Sequence, residues 1–172
     1  MDTDVTGDGI VALRRWSPGD ADWYAASVVD DELIQRFTAE EPTVTGHEVR
    51  AAIRDLLSGP PGAAGFLIAD AASHRRLGNI ALSYEQGVGD VSYWLAGYAR
   101  GRGAATAALR LFTDWAYAEL GLTELRLWTH IDNTGSRAVA ERAGYVRDAE
   151  RDRVREIKGE TWPTVAYVHR RQ

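Results

Sequence analysis

Residues 93–117, YWLAGYARGRGAATAALRLFTDWAY, run from an apolar stretch through an arginine–glycine loop into an alanine-rich segment. The apolar stretch has strand character, and beyond Gly103 the apolar residues recur at helical spacing. A strand that enters a helix this way leaves the first helical N–H groups unpaired, at the positive end of the helix dipole. Gly101 and Gly103 keep side chains off those amides, Arg100 and Arg102 add charge, and Ala104, Ala105 and Thr106 form the first turn. The pattern predicts an anion cradle shaped for a diphosphate. A P-loop would need a lysine after Gly103, and a dinucleotide fingerprint would need Gly or Ala where Thr106 stands. The plain alternative is a tight turn whose arginines face water.

The flanking elements restrict the topology. IVALRRW (10–16) reads as a strand, and Ser17–Pro18 as a helix start. DADWYAASVV (20–29) and DDELIQRFT (30–38) read as two short helices, and Thr45 with Glu48 as a capping box opening HEVRAAIRDLL (47–57). GFLIAD (65–70), RLGNIALSYE (76–85) and VSYWLA (91–96) read as antiparallel strands, the last two joined by the turn EQGVGD (85–90). A helix follows from about 103 to 120, stopped by Gly121, then a strand ELRLWTHI (124–131). DNTGSRAVAERAG (132–144) reads as a helix capped by Asp132 or Asn133 and stopped by Gly144, and two strands around Lys158–Gly159 close the chain. Hairpins in the middle and single crossovers later imply an α+β fold with a mixed, mostly antiparallel central sheet flanked by helices.

Composition narrows the function. With 172 residues, 45% of them hydrophobic, the chain is expected to form one domain over 1–172 with its own core. A net charge of −5 argues against a surface that works by neutralising nucleic-acid phosphates. The chain has no cysteine, and its four histidines, His47, His74, His130 and His169, fall at no metal-ligand spacing. No run approaches the ~18 apolar residues of a membrane span, and the acidic start MDTDVTGDG is unlike a signal peptide. The expectation is a cytoplasmic protein without nucleic-acid or membrane partners, with a homodimer left open.

Arg100-x-x-Gly103-x-Ala105 resembles the Q/R-x-x-G-x-G/A signature of the GNAT superfamily of N-acetyltransferases. The longer run from Tyr93, with HIDNTGSRAVAERAGYV (130–146) and LRRWSPGDADWY (13–24), is similar to its RimJ/RimL-like branch over nearly the whole chain. Ser92, Ala107 and Tyr145 depart from the usual Gly, Glu and Phe of that branch, and Ala107 puts the identity of the acceptor in question. The resemblance implies splayed strands around an acetyl-CoA site, with residues 100–106 on the pyrophosphate. It also implies that the pantetheine arm pairs with the strand backbone at Trp94, Leu95 and Ala96, as an added strand does.

Transfer to an amine needs a base for the amine, a polarised carbonyl and a proton for the leaving thiolate. Many relatives carry an acidic tyrosine seven residues after the motif Asn133, where this chain has Ala140. The branch alternative is Ser136; its plain reading is a first-turn serine bonding backbone. Asn133 reads as a helix cap or a cofactor ligand, and Arg137 as a phosphate ligand or a solvated arginine. For the base, Asp90 leads Glu85, His130 and Glu156. Asp20, Asp22, Asp30, Asp31, Glu32, Glu40 and Glu41 read either as an acidic wall drawing in a cation or as a solvated helical face. The implied acceptor is a primary amine, either a peptide N-terminus or a small molecule. The alternative function is a non-catalytic acyl-CoA sensor on the same fold, to which the missing tyrosine would point.

Overall fold

Helix starts follow the capping residues in the sequence. In the computed structural model, which describes residue 7 and residues 9–172, Ser17 caps a short 3-10 turn, Pro18–Asp20. The Asp20 carboxylate accepts from the Ser17 N–H at 2.8 Å, completing the box. Helix α1 (Ala21–Val29) follows, then α2 (Glu32–Phe37), capped by Asp31. Thr45 and Glu48 exchange bonds at the start of α3 (Gly46–Leu57). The acidic start of the chain lies, apart from Gly7 and Gly9, outside the described residues.

Among the described residues eight strands form one open sheet: β1 (Val11–Arg14), β2 (Ala63–Asp70), β3 (Arg76–Glu85), β4 (Val88–Leu95), β5 (Glu124–His130), β6 (Val146–Arg147), β7 (Arg153–Ile157) and β8 (Glu160–Arg170). The order is β1-β2-β3-β4-β5-β8-β6, with β7 also paired to β8. Every pairing is antiparallel except β4–β5. That single parallel contact holds only Val88↔Glu124, Gly89↔Leu125 and Asp90↔Arg126. Beyond Asp90 and Arg126 both strands continue but no longer pair.

The sheet faces divide the core. Side chains alternate along β4, so Val91 and Leu95 join the large cluster with Leu109 and Phe112 of α4 (Ala104–Glu119). Trp94, on the other face, packs with Val28 and Ile34 of α1 and α2. Helix α5 (Thr134–Arg142) contributes the fully buried Ala140 to the large cluster.

The β3–β4 connection is tighter than its sequence suggests. Only Gln86 and Gly87 form the turn, both at positive φ (51° and 82°), the signature of a two-residue primed turn. Val88, Gly89 and Asp90 are therefore strand residues, and Asp90 is not a turn aspartate but pairs with Ser83 and Arg126. Strand β6 was not anticipated, because two residues carry no periodicity to read.

Asp20 anchors the acidic half. Only 2% exposed, it accepts from Arg14 at 2.8 and 2.9 Å and from Arg76 at 2.8 Å. Burial pushes its pKa up, but the two guanidiniums and the Ser17 N–H outweigh burial and hold it at about 2. A depressed carboxyl pKa stabilises the fold above the unfolded-state value near 4, and the gain disappears as pH falls toward 2. The stability gap between the native chain and Asp20→Asn should therefore be full above pH 5 and narrow by about 2 kcal/mol between pH 4 and pH 2. Urea unfolding across that range checks it; a pH-independent gap would contradict it.

Candidate active site

Backbone bonding identifies what β4 leaves open. The Ala96 N–H donates to the Leu77 carbonyl at 2.8 Å and its carbonyl accepts from Ala99 at 2.9 Å, while Tyr84 donates to Gly62 on the β2 side at 2.8 Å. Antiparallel bonding alternates residue by residue. On β4, Asp90, Ser92 and Trp94 therefore bond to β3, whereas Val91, Tyr93 and Leu95 turn their N–H and C=O groups toward β5. The last rung, Asp90↔Arg126, takes the Val91 N–H and Arg100 takes the Leu95 carbonyl, so the Val91 carbonyl, both groups of Tyr93 and the Leu95 N–H face a gap that can accept an added strand-like ligand. Trp94 and Ala96, expected to grip such a ligand, are engaged inside the sheet; the free edge belongs to Val91, Tyr93 and Leu95.

A second set of free donors begins eleven residues past the end of the β4–β5 pairing. Gly101 and Gly103 have φ of 77° and 78°, and a side chain at either would project into open space. Gly103 caps α4 without any side-chain bond, and the first helical bond runs from Ala107 to the Gly103 carbonyl at 3.0 Å. Among the described residues no protein acceptor meets an N–H from Gly101 to Thr106. Six consecutive amides at a helix start, beside the exposed Arg102, fit a diphosphate. The open β4 edge leading away from them fits an amide-bearing arm.

The chain that carries this cradle and unpaired edge has matches among known proteins. The model of the GNAT acetyltransferase domain matches residues 11–146. The chain belongs to the GNAT acetyltransferase family. YdaF of Bacillus subtilis (strain 168), which carries the provisional name of a ribosomal N-acetyltransferase, is 34% identical over 61 residues, covering 36% of this chain and 33% of YdaF. An acetyl transferase of Salmonella typhimurium, described as modifying the N-terminal serine of ribosomal protein L7/L12, superposes with a TM-score of 0.85 at 16% identity, over 99% of this chain and 100% of its own. Spermidine N-acetyltransferase from Vibrio cholerae, solved with CoA and spermine, gives 0.81 at 18% identity, over 95% and 96%. The fold is the GNAT fold, with its open, mostly antiparallel sheet, and the family's acyl donor is acetyl-CoA.

In this GNAT domain, Ser136 sits in the first turn of α5, where its N–H donates to the capping Asn133 side chain at 3.1 Å. Its Oγ lies 3.0 Å from the Tyr93 hydroxyl, across the gap from β4. Asp90 is exposed on the opposite face of β4, the face that carries Trp94. It borders a cavity of about 340 Å³ lined also by Ser83, Glu85 and Arg126. Burial lowers the pKa of the neighbouring Arg155 and the Asp90 charge opposes that shift. Arg155 stacks over Trp128 at 4.2 Å. His130 packs against Phe37 and Trp162 at the end of β5 (ring centroids 5.6 and 5.5 Å).

Several side chains have other duties than the sequence suggested. Arg100, expected beside the phosphates, forks onto Asp31 (2.9 and 3.0 Å) and onto the Leu95 carbonyl (2.9 Å). Burial would raise the Asp31 pKa, but the Arg100 bonds and the capped amides of α2 bring it below the usual value. Arg137 is not solvated: it donates to the Tyr167 hydroxyl at 3.3 Å and to the Ile131 carbonyl at 3.2 Å. Part of the acidic wall is paired from within. Asp20 and Asp31 hold arginines, Asp22 meets Arg50 at 3.3 Å, and Glu40 accepts from Tyr24.

The Asp31–Arg100 pair, the Tyr93–Ser136 contact and the anchoring role of Lys158 are not read from the sequence. Lys158, in the β7–β8 turn, donates to the Gln35 carbonyl and, at 2.9 Å, to the Glu40 carbonyl, tying the closing hairpin to the segment after α2. Nothing in the spacing of these residues announces such long-range bonds. Arg100→Lys should lower stability by about 1 kcal/mol, since an ammonium cannot reproduce the fork, while CoA affinity stays within threefold. Urea unfolding and calorimetric titration check both. A tenfold loss of affinity at unchanged stability would return Arg100 to the phosphates.

Proposed function

We propose that this chain moves the acetyl group of acetyl-CoA to a primary amine, either a peptide N-terminus or a small molecule, by direct attack in a ternary complex. The observation that carries the reading is the closeness of two sets of unpaired backbone groups, the amides of 101–106 and the β4 edge that runs from the Val91 carbonyl through Tyr93 to the Leu95 N–H. The donor supplies an activated acyl group as a thioester. The chain's own amides hold its diphosphate, and the β4 edge aligns its arm so that the thioester reaches the end of the β4–β5 pairing. There a free strand N–H can meet the oxyanion.

Ser136, on the α5 side, is the proposed proton donor to the departing sulfur. Asp90, on the α1–α2 side, is the proposed base for the amine, directly or through water. Their position on opposite faces of β4 suits a reaction in which donor and acceptor approach from opposite sides. Two relatives of the same fold, described as acting on an N-terminal serine and on spermidine, support an amine acceptor.

Release of free thiol from acetyl-CoA with a panel of N-terminal peptides and polyamines tests the reaction. Turnover that survives removal of the Asp90 carboxylate would reassign the base, and CoA binding without turnover across the panel would favour the sensor. For the cradle, Gly103→Val forces a branched residue into φ 78° and places its side chain where the ligand must approach. Its CoA affinity, by calorimetry, should fall at least tenfold; unchanged affinity would contradict the reading.

A further inference from the structure

Helix α5 presents Ala140, fully buried, at the position where the family resemblance implied an acidic tyrosine. A phenol nevertheless reaches the same helix from elsewhere. The Tyr93 hydroxyl, on β4, lies 3.0 Å from Ser136 Oγ and 3.2 Å from the Ser136 carbonyl. Tyr93 is also one of the residues whose backbone faces the gap, so its ring crosses from the free edge of β4 to the first turn of α5.

We propose that Tyr93 is a positioning residue for Ser136, orienting its hydroxyl toward the sulfur of the bound donor. The inference rests on the acetyl-CoA reading above. A phenol has one proton and here two acceptors, the Ser136 carbonyl and Ser136 Oγ. When Tyr93 donates to the carbonyl, the serine proton turns back onto the phenol oxygen. When Tyr93 donates to Oγ, the serine proton is free to point at the sulfur. As the carbon–sulfur bond breaks, the electron pair stays on sulfur and Ser136 passes its proton to it. Tyr93 keeps its own proton and strengthens its bond to the serine oxygen, which regains a proton from the attacking nitrogen's side through water. Burial pushes the Tyr93 hydroxyl up to about 12, the bond to Ser136 acting in the opposite direction, so the phenol remains a donor throughout neutral pH. A bare serine hydroxyl is a poor acid; a serine oxygen held by a phenol is a better one, because the phenol stabilises the charge that develops on it.

Binding of CoA and of desulfo-CoA, which lacks the sulfur, separates this role from a structural one. Native protein should prefer CoA, and Tyr93→Phe should reduce that preference at least threefold while leaving desulfo-CoA affinity unchanged. Ser136→Ala should have the same effect from the other partner, and the double variant should lose no more than either. In turnover, Tyr93→Phe should lower kcat at least tenfold with KM for acetyl-CoA within threefold. Equal loss of affinity for both ligands would mean that Tyr93 only braces α5, and additive losses would mean that the two act separately; either overturns the proposal. A native protein that turns over acetyl-CoA but has no preference for CoA also overturns it while leaving the enzyme reading intact. Failure to bind either ligand would instead remove the acetyl-CoA reading, and this inference with it.

Discussion

Every buried backbone N–H must find an acceptor, and this fold withholds acceptors in two adjoining places. The β4–β5 contact ends after three residue pairs, so one side of β4 has no neighbouring strand from Val91 to Leu95. A few residues later the chain enters α4 through two glycines at positive φ, and six amides in succession meet no protein acceptor among the described residues. An isolated helix start is common and water usually satisfies it. Two donor sets joined by a short turn define a path with an anionic end and an amide-bearing stem. Much of the surrounding architecture serves to keep that path open, including the Arg100 fork that fixes the Leu95 carbonyl and ties the turn to Asp31.

The two faces of the sheet divide the chemistry. On the α4–α5 side, Ser136, Tyr93 and Tyr167 gather around the first turn of α5, with Arg137 held among them. On the other side, Asp90 and Arg126 border a cavity at the hairpin end of the sheet, and Trp23, Tyr24 and Trp94 pack together farther along the same face. That face is closed at its far end by Lys158 bonding across to the carbonyls of Gln35 and Glu40. A larger cavity of about 500 Å³ near Tyr98 is lined by Arg14 and Arg76, but both guanidiniums are engaged with Asp20. Part of the charge on that face is thus paired internally, through Asp20 and Asp31.

Local signals carried much of the fold in the sequence. Ser17–Pro18, Thr45–Glu48, Gly121 and Gly144 each act within one turn of the chain, and each marks an element boundary in the structure. The glycine cradle was equally legible, because its geometry depends on the φ of Gly101 and Gly103. What was not legible depends on partners distant in sequence. Arg100 looked like a phosphate ligand until Asp31, 69 residues away, claimed it. Tyr93 carried no reading of its own in the sequence, and its contact with Ser136 forms only once α5 folds beside β4. The backbone grip was assigned to Trp94 and Ala96 because strand parity depends on the register with β3, which one strand alone does not reveal.

Amide chemical shifts of isotope-labelled protein, followed by NMR during titration with CoA, test the joined donor sets most directly. Large shifts confined to Gly101–Thr106 and to Tyr93 and Leu95, with Val91, Ser92 and Trp94 less changed, are the expected result. Saturable binding that leaves those amides in place while shifting others would contradict it.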